Sequence, residues 1–262
     1  MAITDRLRAG LKSLRLSTML EELERLEEEK TAAKMPAIKM LDHLVEHEIS
    51  TRHQRAMDRR IHQASFSEMH RLEEYDFKRM PSVDKKFITS LHGCEWVEKG
   101  ENIVFCGAHG LGKTHLAISL GIEACEKGYT VLHKKVEELV LELTEARDEA
   151  RLLSLRKKLQ RADLLICDEL GYTAFDRIGG ELLHGVLSDR YDAKKSVIVT
   201  TNLEFGRWVE VFRSKEMTVA LLDRLTHRCD VIVMTGESMR REESLARQRR
   251  RQARGGKRTT KS

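Results

Sequence analysis

The octapeptide Gly107-Ala-His-Gly-Leu-Gly-Lys-Thr114 matches the spacing G-x-x-x-x-G-K-[ST] at every fixed position. It follows the apolar run "NIVFC" and precedes "HLAISLGIEACEKG", so it reads as a loop between a strand and a helix. Glycines at 107, 110 and 112 let the backbone curl until its N–H groups converge on phosphate oxygens at a helix N-terminus. The nine residues from Gly107 to His115, with Ala108, His109, Gly110, Leu111 and Gly112 between, are thus candidates to wrap a nucleotide's phosphates. Lys113 supplies a point charge for the β and γ phosphates, and the Thr114 hydroxyl is a ligand for Mg²⁺.

A phosphate cradle alone hydrolyses nothing, so a partner acid is required. The run "LLICDE" ends in Asp168 and Glu169, which fits a cation-coordinating carboxylate at the carboxyl end of a strand, followed by a group that polarises the attacking water. "DELG" also matches the D-x-x-G of GTPases, but no [NT]-K-x-D guanine-reading element lies downstream, so ATP is the expected nucleotide. The run "SVIVTTN" brings Thr201 and Asn202 to the same sheet edge, where an amide bridges phosphate and water. Arg224 in "LLDRLTHR" and Arg240 in "GESMR" are candidates to stabilise transition-state charge, one of them delivered from a neighbouring subunit.

These side chains need a sheet to hold them. Five β-rich runs, "NIVFCG", "YTVLHKK", "DLLICDE", "SVIVTTN" and "DVIVM", alternate with helical segments from residue 102 onward, which predicts an α/β fold with a mostly parallel five-stranded sheet covered on both faces. Ahead of it, leucines at 7, 11, 14, 20, 23 and 26 predict one helix over residues 5–28. A second helix carries Leu41, Leu44, Val45 and Ile49 on one face. The expected division is a small all-α domain at 1–72, an α/β domain at 73–239 and a basic tail at 240–262. Residues 239–262 hold a balance of +8 against −3 for the remainder, a pattern of a solvated tail or a phosphate-seeking arm.

Other patterns exclude function classes. There is no apolar run long enough to span a membrane and no signal-peptide core at the N-terminus, so a cytoplasmic protein is expected. Five cysteines without a C-x-x-C argue against a disulfide framework or a zinc ribbon. "HLVEH" at His43–His47 fits the inverted zinc-protease signature, but Leu44 and Val45 belong to the apolar stripe of the second helix, so it reads as structure. The basic segment holding Arg151, Arg156, Lys157, Lys158 and Arg161 is either a solvated helix face or a contact to nucleic-acid phosphates.

The order "GAHGLGKTHLA", "LLICDELGY", "DRYDAKKSVIVTTN", "FGRWVEVF", "ALLDRLTHR" and "GESMR" resembles the IstB-type transposition helper ATPases, relatives of the DnaC helicase loaders in the AAA+ superfamily. The likeness runs from the N-terminal leucine-rich helix to Arg240. It implies an AAA+ P-loop ATPase with cofactors ATP and Mg²⁺, in which Lys113 and Thr114 are the Walker A pair and Asp168 and Glu169 Walker B. By the same likeness Asn202 is sensor 1, Arg224 a finger acting in trans and Arg240 a sensor 2, although a full helical lid does not fit in the residues that remain. Arg190 in "SDRYD" is the other arginine that could face a neighbour. The implied partners are double-stranded DNA, a transposase of the same mobile element and further copies of the chain, with ATP sites at subunit interfaces. The rival readings are a helicase loader acting on single strands and a nucleotide-gated interaction module without turnover.

Overall fold

The computed structural model describes residues 3–31, 35–236 and 238. The chain divides into two compact units, Met1–Arg59 and Arg60 onward. The sequence reading set this division at residue 72. The tail expected at 240–262 lies outside the described residues.

The first unit holds α1 (Asp5–Ser13), α2 (Ser17–Glu28) and most of α3 (Ala37–Ala64). The single helix expected over 5–28 is two, because Arg15 takes a left-handed conformation (φ 58°) that an α-helix does not accommodate. Met19, Leu26 and Leu44 form the small core, with Leu11, Leu23 and Met40 packed against it. The stripe expected on the second helix is shifted. Leu44 is buried, whereas Leu41, Val45 and Ile49 are exposed. The inward strip runs instead along the partly buried Met40 and the buried Leu44 and Glu48, and the Glu48 carboxylate accepts from Met19 N (2.8 Å) and from Arg52 Nε (2.5 Å). A second buried carboxylate, Glu22, accepts two bonds from Arg25 (2.7 and 2.8 Å) and lies 2.7 Å from His43 Nε2. A buried acid is stable when so paired, and two of them occupy positions that a search for apolar periodicity passes over.

The second unit is built on a five-stranded, all-parallel sheet in the order β2-β3-β4-β1-β5. Its strands are β1 (Asn102–Gly107), β2 (Val131–Lys135), β3 (Leu164–Leu170), β4 (Ser196–Thr201) and β5 (Cys229–Met234). The five strands sit on the five expected runs, and the pairing is parallel throughout. Short helices α4 (Lys85–Leu91) and α5 (Glu95–Lys99) and the long α6 (Lys113–Glu126) cover one face. Helices α7 (Val136–Asp148), α8 (Leu152–Arg161), α9 (Arg177–Asp192), α10 (Val209–Phe212) and α11 (Lys215–Thr226) belong with the other. Burial on both faces explains why the central strands read as continuous apolar runs rather than alternating ones.

The stretch from Arg60 to Met80 is part of this second unit. Ala64 and Met80 are fully buried in its core, and Arg60 Nε donates to the Cys125 carbonyl (2.8 Å). Both tryptophans are buried, and Trp208, wholly so, packs against Phe205 and Phe212 and offers no exposed ring. Cys167 is buried, and burial pushes its thiol up to about 12, as expected of a cysteine used as a small apolar residue. No helix among the described residues is long and apolar enough to cross a membrane.

Candidate functional site

At the carboxyl end of β1 the chain must turn sharply over the sheet. A Cβ at Gly107 would sit 2.2 Å from the Met234 carbonyl oxygen on neighbouring β5, so only glycine fits there. Gly112 caps α6 in the left-handed region (φ 85°), which aims the helix's first N–H groups into the loop. Tyr75 reaches in from the preceding segment and donates its hydroxyl to the Leu111 carbonyl (3.1 Å). Lys113 Nζ donates to the carbonyls of Gly107 (2.8 Å) and Ala108 (2.7 Å), which holds the ammonium over the loop.

Beneath the loop a buried carboxylate gathers donors from two elements. Asp168, on β3, accepts at Oδ1 from Thr114 Oγ1 on α6 (2.8 Å) and from Thr200 Oγ1 on β4 (2.5 Å). Burial pushes the Asp168 carboxyl up. Stabilisation by His133, Thr200 and Thr114 outweighs burial and holds it below the ordinary carboxylate range. The acid is therefore ionised at neutral pH. Because the Thr114 proton is committed to Asp168, the hydroxyl's lone pairs are left to face a cation, and this oxygen donor set suits Mg²⁺.

Glu169 follows in the left-handed region (φ 62°) at an irregularity in β3–β4 pairing, where Asp168 and Glu169 together stand opposite Thr200. Its backbone N–H donates to Thr200 Oγ1 (2.8 Å) and its side chain is exposed at the cavity. Asn202, just past β4, has Nδ2 3.1 Å from His109 Nε2. The walls enclose about 630 Å³, and Lys113, Thr114, Asp168, Glu169, Asn202 and His115 all line it.

Sequence reasoning passed over several residues here. It placed Thr201 beside Asp168, but Thr201 turns to the opposite face and donates to the Leu170 carbonyl (2.8 Å), while Thr200 holds the acid. Strand alternation carried that signal, since Thr200 shares a face with Ile198 and Thr201 with Val199. The far wall, with His70, Glu74, Tyr75 and Arg79, comes from a segment expected to straddle two domains. There the His70 and His115 rings stack at 4.5 Å, and His115 Nε2 donates to the Arg71 carbonyl (2.8 Å). Burial, the largest influence, holds the His115 imidazole below its ordinary value and so neutral.

The arginines separate. Arg224, half-buried on α11, donates from Nη1 to Ser188 Oγ on α9 (2.7 Å) and does not line the cavity. Arg240 lies outside the described residues. Arg190 cannot face a neighbour. It is wholly buried and donates to the carbonyls of Leu159, Ala162 (3.0 Å), Asp163 (3.1 Å) and Ser196 (2.6 Å), and burial pushes it down to about 10. In the basic segment, Arg156 makes a two-pronged pair with Asp189 (2.6 and 2.7 Å) and Arg151 pairs with Glu149, whereas Lys157, Lys158 and Arg161 are exposed.

The chain is matched over residues 9–247 by the family model described as IstB-like ATP binding protein. A relative from Pseudomonas aeruginosa, named as an ATP-binding protein of insertion sequence IS21, is 35% identical over 89% of this chain and 88% of its own. Another from Bacillus thuringiensis, named for insertion sequence IS232, is 32% identical over 93% of this chain and 97% of its own. The crystal structure of the DnaC helicase loader superposes with a TM-score of 0.51 at 21% identity, covering 57% of this chain and 87% of the loader, a likeness of fold. With an all-parallel sheet, a phosphate loop after β1 and the acid at the end of β3, the second unit has the AAA+ P-loop fold, and the chain belongs to the IstB-like ATP-binding family.

Proposed function

We propose that this chain is an ATP-hydrolysing transposition helper that assembles on double-stranded DNA and directs a partner transposase. The observation that carries the chemistry is the arrangement of Thr114, Asp168, Thr200 and Glu169 beneath the glycine loop. Backbone N–H groups of residues 107–114 and Lys113 take the β and γ phosphates, and the His70, Tyr75 and His115 wall takes the nucleoside. Mg²⁺, held through Thr114 and Asp168, would supply charge neutralisation at the phosphate oxygens. Glu169 accepts a proton from water, whose oxygen bonds to the γ phosphorus as the bond to the bridging oxygen breaks, giving ADP and phosphate. Asn202 holds the water and a phosphate oxygen in line.

Arg224 does not line its own cavity and is held by Ser188, which supports delivery to a neighbouring subunit's phosphates. Nucleotide occupancy then couples to assembly, because each complete site needs two copies. The names of the relatives support the link to insertion sequences, and the exposed Lys157, Lys158 and Arg161 together with the basic tail support duplex DNA as the scaffold.

The test is ATP turnover with and without duplex DNA. Lys113→Ala should lose nucleotide binding, Glu169→Gln should bind ATP and form DNA-bound oligomers without turnover, and Arg224→Ala should bind ATP yet be inactive alone. Mixing Arg224→Ala with Lys113→Ala should recover turnover, since one interface then pairs an intact pocket with an intact arginine. Undiminished turnover by Glu169→Gln overturns the site, and failure of every mixture overturns the trans role. Stimulation by single strands in place of duplex would turn the reading toward a helicase loader.

A further inference from the structure

One imidazole beside the site has no part in the scheme above. His133 lies on edge strand β2, in register with Ile166 of β3, and strand alternation places it on the sheet face that also carries Ile166 and Asp168. Its side chain is 3% exposed and Asp168 is 2% exposed. The His133 Nε2 is closed to solvent, and no acceptor among the described residues lies within hydrogen-bond range of it. The atom it faces is Asp168 Oδ2, at 3.7 Å. The ring also meets Phe66, at 6.1 Å between centroids and tilted by 45°.

The two carboxylate oxygens of Asp168 are therefore served unequally. Oδ1 takes both threonine hydroxyls, while Oδ2 has the imidazole in front of it at slightly more than bonding distance. A buried N–H without an acceptor is costly, and so is a buried carboxylate oxygen without a donor, and a shift of under about 1 Å satisfies both. We propose that His133 is a positioning residue for Asp168: its Nε2–H closes on Oδ2 and fixes the plane of the carboxylate, so that the acid presents a single orientation to the cation beside Thr114. The role parallels the outer-shell hydrogen bonds that orient metal-binding carboxylates generally. Nothing in the sequence marks it, because "VLHKK" reads as an edge strand with a lone histidine.

The role given to His133 rests on the reading of Asp168 as the cation-holding acid, and the experiment separates the two. Binding of a fluorescent ATP analogue to the full chain is measured against Mg²⁺ concentration and, separately, in chelator. His133→Phe keeps an aromatic ring against Phe66 and removes the N–H. It should raise the Mg²⁺ concentration for half-maximal effect by roughly 10-fold or more and leave binding in chelator unchanged. His133→Asn, which retains a side-chain N–H, should recover most of the Mg²⁺ response. If His133→Phe does not fold, His133→Met carries the same expectation with a more adaptable side chain. An unchanged Mg²⁺ half-point in His133→Phe, an equal loss with and without Mg²⁺, or no recovery in a folded His133→Asn protein each overturns the positioning role. Asp168→Asn is the control. If it keeps the wild-type Mg²⁺ response, the assignment of Asp168 itself fails, whatever His133 does.

Discussion

Thr200→Val isolates one oxygen atom on which both acids depend. Thr200 is wholly buried, and valine matches its shape, so the substitution opens no cavity. It removes the donor at 2.5 Å to Asp168 Oδ1 and the acceptor at 2.8 Å from the Glu169 N–H. A hydrogen bond to a charged group contributes about 1.5–3 kcal/mol, and leaving a buried N–H unpaired costs about 1–3 kcal/mol. The two share one atom and Thr114 still serves Asp168, so the combined loss is about 2–4 kcal/mol, a large part of a typical domain's stability. Urea unfolding of the second unit, followed by Trp96 and Trp208 fluorescence, reads this loss. Asp168 is held below the ordinary carboxylate range in the folded state, so its ionised form stabilises fully above that range and the contribution fades as pH falls from there through the lowered folded value. The gap between wild type and variant should accordingly narrow in acid. Turnover should fall about 10- to 100-fold through misplacement of Glu169, with ATP binding retained. A variant that unfolds at the wild-type urea concentration and turns over at the wild-type rate would refute the assignment of Thr200.

The buried arginine and the buried acid of the first unit give two more tests. Arg190→Met should cost about 3–5 kcal/mol, because the carbonyls on either side of β3 lose their common donor; a stable variant whose lost turnover is restored by mixing would instead return Arg190 to a subunit interface. Glu22 is held down to about 2 by its bonds to Arg25 first and His43 next, from an ordinary 4.5. Its stabilisation is complete above about pH 4.5 and disappears as pH falls toward 2, so Glu22→Gln should loosen the first unit at neutral pH and match wild type in strong acid. With Arg25 half-exposed and screened, the neutral-pH loss is about 1–2 kcal/mol, read as faster amide exchange across residues 17–28; equal exchange at pH 7 would count against the pairing.

The parts of the site that were legible in the sequence are those fixed by local chain geometry. Glycines at set intervals, a lysine and a hydroxyl after them, and an acid at the end of an apolar run are each adjacent in the chain to the element that positions them. What was not legible depends on which strand lies beside which. Thr200 and His133 reach Asp168 only because β4 and β2 flank β3, an order that no single run announces. The two arginines at helix ends, Arg190 and Arg224, look alike as sequence. The fold distinguishes them by burying one among the carbonyls that end α8 and begin β4 and leaving the other hydrogen-bonded to Ser188 near the surface.

Strict alternation along β3 does not account for the acid pair. Leu165 and Cys167 face the α9 side of the sheet, and a period of two would send Glu169 to the same apolar face, where an unpaired carboxylate is untenable. The next apolar residue on that face is Leu170, one position late, and it pairs with Thr201. The extra residue is absorbed where Asp168 and Glu169 together oppose Thr200, with Glu169 in the left-handed region and its N–H returned to the Thr200 hydroxyl. The bulge thus lets Asp168 face Thr114 on α6 while Glu169 turns out of the sheet into the cavity, the two placements that the proposed roles require. Adjacent carboxylates acquire different duties because the strand is one residue longer than its neighbour, and Thr200, the residue opposite, is bonded to both halves of that arrangement.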